Sequence, residues 1–376
     1  MTAGDPVRRI ALAAGGTGGH LFPAVALARE LLSRRHQVTV LTDPRGAKFD
    51  AGIQVRSVPA SRLAGGLVSK VIGALQLLRG VLAAAWHLKR DKVELLVGFG
   101  GYPSVAPVLA AKLTGVPVVL HEQNAVLGRA NVRLARFAKL VAASFPEVAG
   151  LSGDAKRLTG NPVRAEAVAA RSRPFQTPEV DGPLNLLVFG GSQGASVFSD
   201  VVPAACALLP ERLRARLHVT QQARPDDVAA TQAAYAGLGM AAEVSAFFND
   251  LPDRMAGSHL IIARAGASTI AELLTIGRPA VLVPYPHAMD DHQTANAQAV
   301  DEEGAAWLMP QAAFTPEALA RRLETALTLP ECTAKVAKRA YDLGRPDAAS
   351  RLADAAESVL TDASAASPAA LRSIAP

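Results

Sequence analysis

The amino-acid sequence predicts an α/β protein made of two Rossmann-like halves, each a doubly wound parallel sheet. Three observations predict it. The chain opens on a strand, a glycine turn, a helix and a second strand; short apolar runs then alternate with helical stretches; and after residue 183 the same scheme starts again. The 376 residues suffice for about two domains. Half of them are hydrophobic and 19% are charged, below the roughly 25% of an average soluble domain, which excludes intrinsic disorder.

In the first half, residues 9–14 read as a strand, 15–19 as the glycine turn, 21–33 as a helix and 37–42 as the second strand. Apolar runs at 94–97, 118–120 and 140–143 alternate with helical stretches, as strands covered on both faces do. Residues 150–183 lose periodicity and carry Pro162, Pro174, Pro178 and Pro183, so they read as a connection. The second half repeats the opening: a strand at 184–189, a glycine turn at 190–194 and a helix at 195–209. Strands at 217–220, 260–263 and 280–283 follow, with a helix over 269–276 and further helices from 316 to about 360. Residues 361–376, rich in Ala, Ser and Pro, are expected to form a disordered tail.

Lys and Arg number 39 against 33 Asp and Glu, a net charge of +6 that suits an anionic partner: nucleic acid, a phosphorylated substrate or a membrane surface. Cys206 and Cys332 stand far apart without CxxC spacing, which excludes a disulfide framework and fits a reducing cytoplasm. Arg8 and Arg9 precede an apolar run that glycines interrupt at once, too short for a secretory signal. No uninterrupted apolar segment reaches the roughly 20 residues that span a bilayer.

A glycine turn between strand and helix lets backbone approach a phosphate while the helix N-terminus presents free N–H groups. This chain has two, Gly15-Gly16-Thr17-Gly18-Gly19-His20 and Gly190-Gly191-Ser192-Gln193-Gly194. Tight packing of helix on strand is the bland reading of either. Neither has GxGxxG spacing, although Asp43 stands where a dehydrogenase would hold an adenosine ribose, and no GxxxxGK[ST] sequence is present. An apolar stripe of Leu67, Val71, Leu75, Leu78, Leu82 and Trp86 recurs at helical spacing, with Val68, Ile72, Leu77 and Val81 widening it. Lys70, Arg79, Lys89, Arg90 and Lys92 surround it, the pattern of an interfacial helix on anionic lipid and also of a core helix.

Five motifs carry a family resemblance. They are Gly15 to His20 followed by Phe22-Pro23; His121-Glu122-Gln123-Asn124; Gly160-Asn161-Pro162-Val163-Arg164; Gly190 to Ala195; and Arg264-Ala265-Gly266-Ala267 with Glu272. In order and spacing, from about residue 8 to 360, they resemble the MurG family, N-acetylglucosaminyltransferases of peptidoglycan synthesis and cell wall biogenesis. The resemblance implies the GT-B architecture, two Rossmann-like domains facing across a cleft, with the final helix crossing back to the first domain. It implies inverting transfer of GlcNAc from UDP-GlcNAc to the C4 hydroxyl of the MurNAc in undecaprenyl-linked lipid I, giving lipid II. It further implies an acceptor and membrane-facing domain over 1–163, with a helix at about 345–360 packed back on it, and a UDP-GlcNAc-binding domain over 164–344. A peripheral place on the cytoplasmic face of the cell membrane, an anionic lipid surface, and wall-synthesis and division proteins as partners belong to the same expectation. No nucleic acid, cofactor or required metal does.

An inverting displacement needs a base for the acceptor hydroxyl. His20 is the first candidate, neutral often enough near its ordinary pKa and aimed by the glycine turn; it could instead merely hydrogen-bond a diphosphate or a carbonyl. Glu122, after a strand end, is the rival base, and His121 supports the loop. Tyr102 and Asn124 position the acceptor or donor sugar, and Thr17, Gly18 and Gly19 join the substrate-binding set. By similarity Glu272 holds the ribose, Ala267, Ser268, Thr269, Ile270 and Ala271 with Ser192 meet the diphosphate, and Phe248 backs the uracil. Arg164 is the cation for the leaving diphosphate, or an ordinary solvated arginine. Gln293 and Asn296 read GlcNAc hydroxyls by similarity; His287, Asp290, Asp291 and His292 nearby tempt a metal reading, but amides suit sugar hydroxyls better. Rival functions are a diacylglycerol glycosyltransferase, a UDP-GlcNAc 2-epimerase type isomerase, and a noncatalytic nucleotide-sugar or membrane-binding protein.

Overall fold

The computed structural model describes residues 6–15, 18–43, 53–60, 67–179, 181–191 and 194–361, the side chains of 18 and 67–70 excepted. The chain divides into two compact units, Met1–Val163 with Asp347–Pro376, and Arg164–Pro346. The expected disordered tail, apart from Thr361, lies outside the described residues.

In the first unit the strands are β1 (Arg9–Ala13), β2 (Gln37–Thr42), β3 (Gln54–Ser57), β4 (Leu95–Gly98), β5 (Val118–Glu122), β6 (Leu140–Ala143) and β7 (Lys156–Leu158). They lie in the order β3-β2-β1-β4-β5-β6-β7, every pair parallel, with Ile10 between Val38 and Leu95. Helices α1 (Gly18–Ser33), α2 (Leu67–Arg90), α3 (Gly101–Thr114) and α4 (Arg129–Leu134) connect them. The order reverses between β1 and β4, and in such sheets ligands gather at the carboxyl ends of the strands at that point. Strands β4, β5 and β6 are buried at every residue, which is why they read as continuous apolar runs.

The second unit repeats the plan. After α5 (Ala165–Ala170), strands β8 (Leu184–Phe189), β9 (Leu217–Gln222), β10 (Ala242–Ser245), β11 (Leu260–Ala263), β12 (Ala280–Leu282) and β13 (Trp307–Leu308) form a parallel sheet ordered β10-β9-β8-β11-β12-β13. Its helices are α6 (Ser196–Leu208), α7 (Glu211–Arg214), α8 (Val228–Gly237), α9 (Leu251–Ala256), α10 (Ala267–Ile276), α11 (His292–Asp301), α12 (Pro316–Thr328) and α13 (Pro330–Leu343).

The last helix, α14 (Ala348–Thr361), returns to the first unit and buries Leu352, Ala353, Ala355 and Ala356 in its core. Arg34, at the end of α1, fastens it with hydrogen bonds to Asp354 (2.6 Å), Glu357 (2.9 Å) and the Ser350 hydroxyl (2.7 Å). His36 accepts from the Arg8 amide and donates its other ring N–H to Glu357 at 2.9 Å.

Four strands escaped the sequence reading: β3, β7, β10 and β13. All four are sheet edges. Edge strands are short and half-solvated, so they carry polar residues such as Gln54, Arg56, Lys156 and Glu243 and lack the apolar run of a central strand. For the same reason residues 150–183, read as a connection, hold β7 and the short α5. Helix α1 begins at Gly18, three residues earlier than expected, which puts Gly18, Gly19 and His20 in its first turn.

Candidate active site

In the first unit the candidate residues sit beyond the carboxyl ends of β1, β2, β4 and β5. His20, half-buried, directs Nδ1 to the Gln123 side-chain oxygen at 3.1 Å. Gln123, buried just after β5, donates its amide N–H groups to the Phe99 carbonyl (3.0 Å) and to His121 Nδ1 (3.0 Å). His121 is fully buried in β5 and donates from Nε2 to the Gly160 carbonyl at 3.1 Å. Burial holds its pKa down at about 4, so the ring is neutral. Tyr102, in the first turn of α3, donates its hydroxyl to Asp43 at 2.5 Å. Asp43, the residue placed by sequence at a dehydrogenase ribose site, is buried and holds this phenol.

Glu122 is arranged differently from a base. Its carboxylate is 1% exposed and accepts four hydrogen bonds, from the Asn124 amide (3.0 Å) and side chain (3.2 Å), the Gly128 amide (3.0 Å) and the Asn131 side chain (2.8 Å). It organises the loop after β5, and Asn124 is drawn to it. Thr17 lies outside the described residues.

In the second unit β8 leads into the other glycine turn. A Cβ on Gly190 would lie 2.4 Å from the Ala195 nitrogen, so only glycine fits that close approach. Gln222 braces the turn, accepting from the Gly190 amide (3.2 Å) and donating to the Ala246 carbonyl (3.2 Å). Ser192 lies outside the described residues. Helix α10 follows β11, and its first amides, those of Ala267, Ser268 and Thr269, precede any intrahelical bond. Ile270 differs from expectation: its side chain is buried and its N–H already donates to Gly266. Ala271, next in the helix, is half-buried.

Glu272, 5% exposed and expected at the ribose, and Arg164, expected at the diphosphate, meet in a bidentate ion pair. Both its bonds are 2.7 Å. The pair raises the Arg164 pKa. Each carboxylate oxygen keeps a second lone pair, so the ion pair leaves Glu272 able to accept hydroxyls. Gln293 accepts the Tyr285 amide at 3.0 Å, which leaves its NH2 as donor. Asn296, expected to read the sugar, is fully buried and donates to the Ala265 carbonyl at 3.2 Å, bracing the turn ahead of α10. Phe248 is buried with the Arg254 guanidinium 4.2 Å over its ring, while its neighbour Phe247 is exposed. His292 donates Nδ1–H to the Met289 carbonyl at 2.6 Å. Among the described residues no three His, Cys, Asp or Glu side chains gather as a metal cluster.

Helix α2 carries the membrane-facing candidates. Val71, Ile72, Leu75, Leu78, Leu82 and Trp86 are each 51–61% exposed, whereas Val81, Ala84 and Leu88 face inward and are buried. Gly80 allows the inner approach, since a Cβ there would sit 2.2 Å from the Pro59 carbonyl. Arg90 stacks over Trp86 at 4.8 Å. Val81, taken by sequence as part of the outer surface, therefore belongs to the inner one; the side chains of Leu67, Val68 and Lys70 are not among those described. Residues Val71–Arg90, with mean hydropathy 1.5, are long and apolar enough to cross a membrane by length and composition. The stretch is not an uninterrupted apolar run, because Arg79 stands near its middle and Lys89 and Arg90 at its end.

Gln123 and Asn131 are the residues that sequence reasoning left without a role. Gln123 stood inside a motif, but nothing in a linear sequence marks an amide that joins two histidines; Asn131 gave no signal.

Comparison with known proteins bears on both units. Residues 10–143 match the glycosyltransferase family 28 N-terminal domain, and 185–358 match the glycosyltransferase family 28 C-terminal domain. A protein of Rhodospirillum centenum is 55% identical over 354 residues, covering 92% of this chain and 93% of its own. One of Paramagnetospirillum magneticum is 50% identical over 352 residues, covering 92% and 95%. Both are named UDP-N-acetylglucosamine–N-acetylmuramyl-(pentapeptide) pyrophosphoryl-undecaprenol N-acetylglucosamine transferase. The crystal structure of Acinetobacter baumannii MurG superposes with a TM-score of 0.78 at 33% identity, covering 93% of this chain and 99% of that one. With two Rossmann-like units of the GT-B architecture and both domain models matched in order, this chain is an enzyme that belongs to glycosyltransferase family 28.

Proposed function

We propose that the chain transfers GlcNAc from UDP-GlcNAc to the C4 hydroxyl of MurNAc in lipid I, inverting the anomeric centre and giving lipid II. The observation that carries this reading is the 55% identity across both units to a transferase of that name. Residues 1–163, with the C-terminal helix, serve the acceptor and the membrane, and residues 164–344 serve the donor. The C4 oxygen attacks the anomeric carbon, its proton passes to His20 Nε2, and the bond to UDP breaks with the electron pair on the diphosphate. Arg164 and the first amides of α10 meet that charge, Glu272 accepts ribose hydroxyls, and the Gln293 NH2 donates to the sugar. His20 is favoured as base because its Nε2 has no hydrogen-bond partner among the described residues, whereas Glu122 is buried and committed to four donors. Tyr102 and Asn124 position the acceptor.

The outward face of α2, apolar and ending in Trp86, Lys89 and Arg90, supports docking on an anionic lipid surface. The surface in this reading is the cytoplasmic leaflet, where anionic lipids attract basic residues such as Lys89 and Arg90. UDP release from UDP-GlcNAc by the purified full chain, offered a soluble lipid I analogue or diacylglycerol, tests the reading. Release with the lipid I analogue alone is expected. Release with diacylglycerol would move the chain to lipid glycosylation, and release with neither, despite donor binding, would make it a binding protein.

A further inference from the structure

Two backbone carbonyls fix every proton in the cluster around His20. A carbonyl oxygen has no hydrogen to give, so the Gln123 atom 3.0 Å from the Phe99 carbonyl is its NH2 nitrogen, and its oxygen faces His20. By the same reasoning the His121 nitrogen 3.1 Å from the Gly160 carbonyl, Nε2, carries the proton, and Nδ1 is the acceptor that Gln123 needs at 3.0 Å. The two assignments agree without adjustment. Burial keeps His121 neutral, with a pKa of about 4, so its Nδ1 remains an acceptor at neutral pH. The Gln123 oxygen can then accept only from His20, which places a proton on Nδ1, so that in the neutral ring Nε2 is the bare nitrogen.

We propose that Gln123 is a positioning residue for the transfer: its amide, held by the Phe99 carbonyl and His121 Nδ1, selects the His20 tautomer whose Nε2 is free to take a proton. The inference rests on the reading of His20 as base, and Gln123 touches neither substrate nor the reacting atoms. A neutral imidazole in solution prefers the opposite tautomer, with Nε2 protonated, so without Gln123 the receiving nitrogen would be occupied for most of the time. A general base in the wrong tautomer loses most of its contribution.

The test uses the full chain labelled with nitrogen-15 in histidine, with the His20 signals assigned against His20→Ala. In the unsubstituted protein the His20 Nδ1 is expected to be protonated and Nε2 bare. Gln123→Met, near-isosteric but without a strong acceptor, is expected to move the proton towards Nε2. It should also lower kcat by about tenfold or more, with KM for UDP-GlcNAc unchanged. Gln123→Asn keeps both the NH2 donor and the acceptor oxygen on a side chain one methylene shorter, and is expected to retain more of the native tautomer and more of kcat than Gln123→Met. An unaltered His20 spectrum in Gln123→Met overturns the inference, and so does an equal loss of kcat in the two variants, which would leave Gln123 a packing role. A proton that moves while kcat stays constant overturns the assignment of His20 as base. Should Gln123→Met not fold, Gln123→Asn decides alone: a fall in kcat in it with the His20 proton still on Nδ1 would overturn the inference.

Discussion

The crossover from β3 to β4 runs through α2, a helix of 24 residues, whereas the equivalent crossover from β10 to β11 in the second unit runs through α9, with six. Both return the chain to the same place in a parallel sheet, and the short version suffices. The length of α2 and its outward apolar stripe are therefore not required by the fold. Burying that stripe against lipid is what its composition suits. The same contrast holds at the carboxyl ends of the strands. The first unit gathers two imidazoles joined by an amide, His20, Gln123 and His121, beside the Tyr102–Asp43 pair. The second gathers an ion pair and an amide, Arg164 with Glu272 and Gln293, near the start of α10. One strand order supports both, so the fold supplies the crevice and the side chains beyond the strands supply the chemistry.

The largest expected effect would break the comparison at its chemical end. His20→Ala should lower kcat by about a hundredfold to ten-thousandfold while leaving UDP-GlcNAc affinity intact. Turnover together with calorimetric titration of the donor checks it; weaker donor binding at normal kcat would return His20 to the binding residues. Next comes α2. Replacing Leu75 and Leu82 together by Glu removes two exposed leucines, which should weaken binding to anionic vesicles by about 3 kcal/mol. Vesicle sedimentation reads this, and donor affinity should stay constant; vesicle binding at full strength would send the function of the stripe elsewhere.

A third prediction separates the neutral, buried His121 from the rest of the fold. Its folded pKa of about 4 lies below the usual 6.5, so the unfolded chain takes up the proton first as pH falls. The stability this ring contributes is complete above pH 6.5 and declines as pH falls from there towards 4. Urea titrations at pH 7.5 and pH 5 should show the unsubstituted protein losing about 2 kcal/mol more than His121→Asn. Parallel losses would mean that the ring is solvated. The smallest effect sharpens the donor side: Glu272→Ala should weaken UDP-GlcNAc binding at least tenfold, about 1.4 kcal/mol. Unchanged affinity would withdraw the ribose contact.

Legibility followed burial. Central strands such as 140–143 and 260–263 were readable to the residue, because strands covered on both faces must be apolar throughout. Edge strands such as Trp307–Leu308 were not, because a half-solvated pair of residues has no period. Site residues were readable as types at motif positions, but their partners were not. Asn296 and Gln293 stand three apart on one helix with the same kind of side chain. One is buried against Ala265 and the other keeps its NH2 group as a donor.

Sequence by itself determined the two-fold repetition of the parallel-sheet plan, the glycine turns and the family motifs, because apolar periodicity and glycine placement are local properties of the chain. Only the tertiary structure decided that Glu122 is spent on its own loop, that Arg164 and Glu272 hold each other, which face of α2 looks outward, and that His20 meets the Gln123 side-chain oxygen. Each of these depends on a donor meeting an acceptor, or a surface meeting its cover, across distances in the chain that only folding closes.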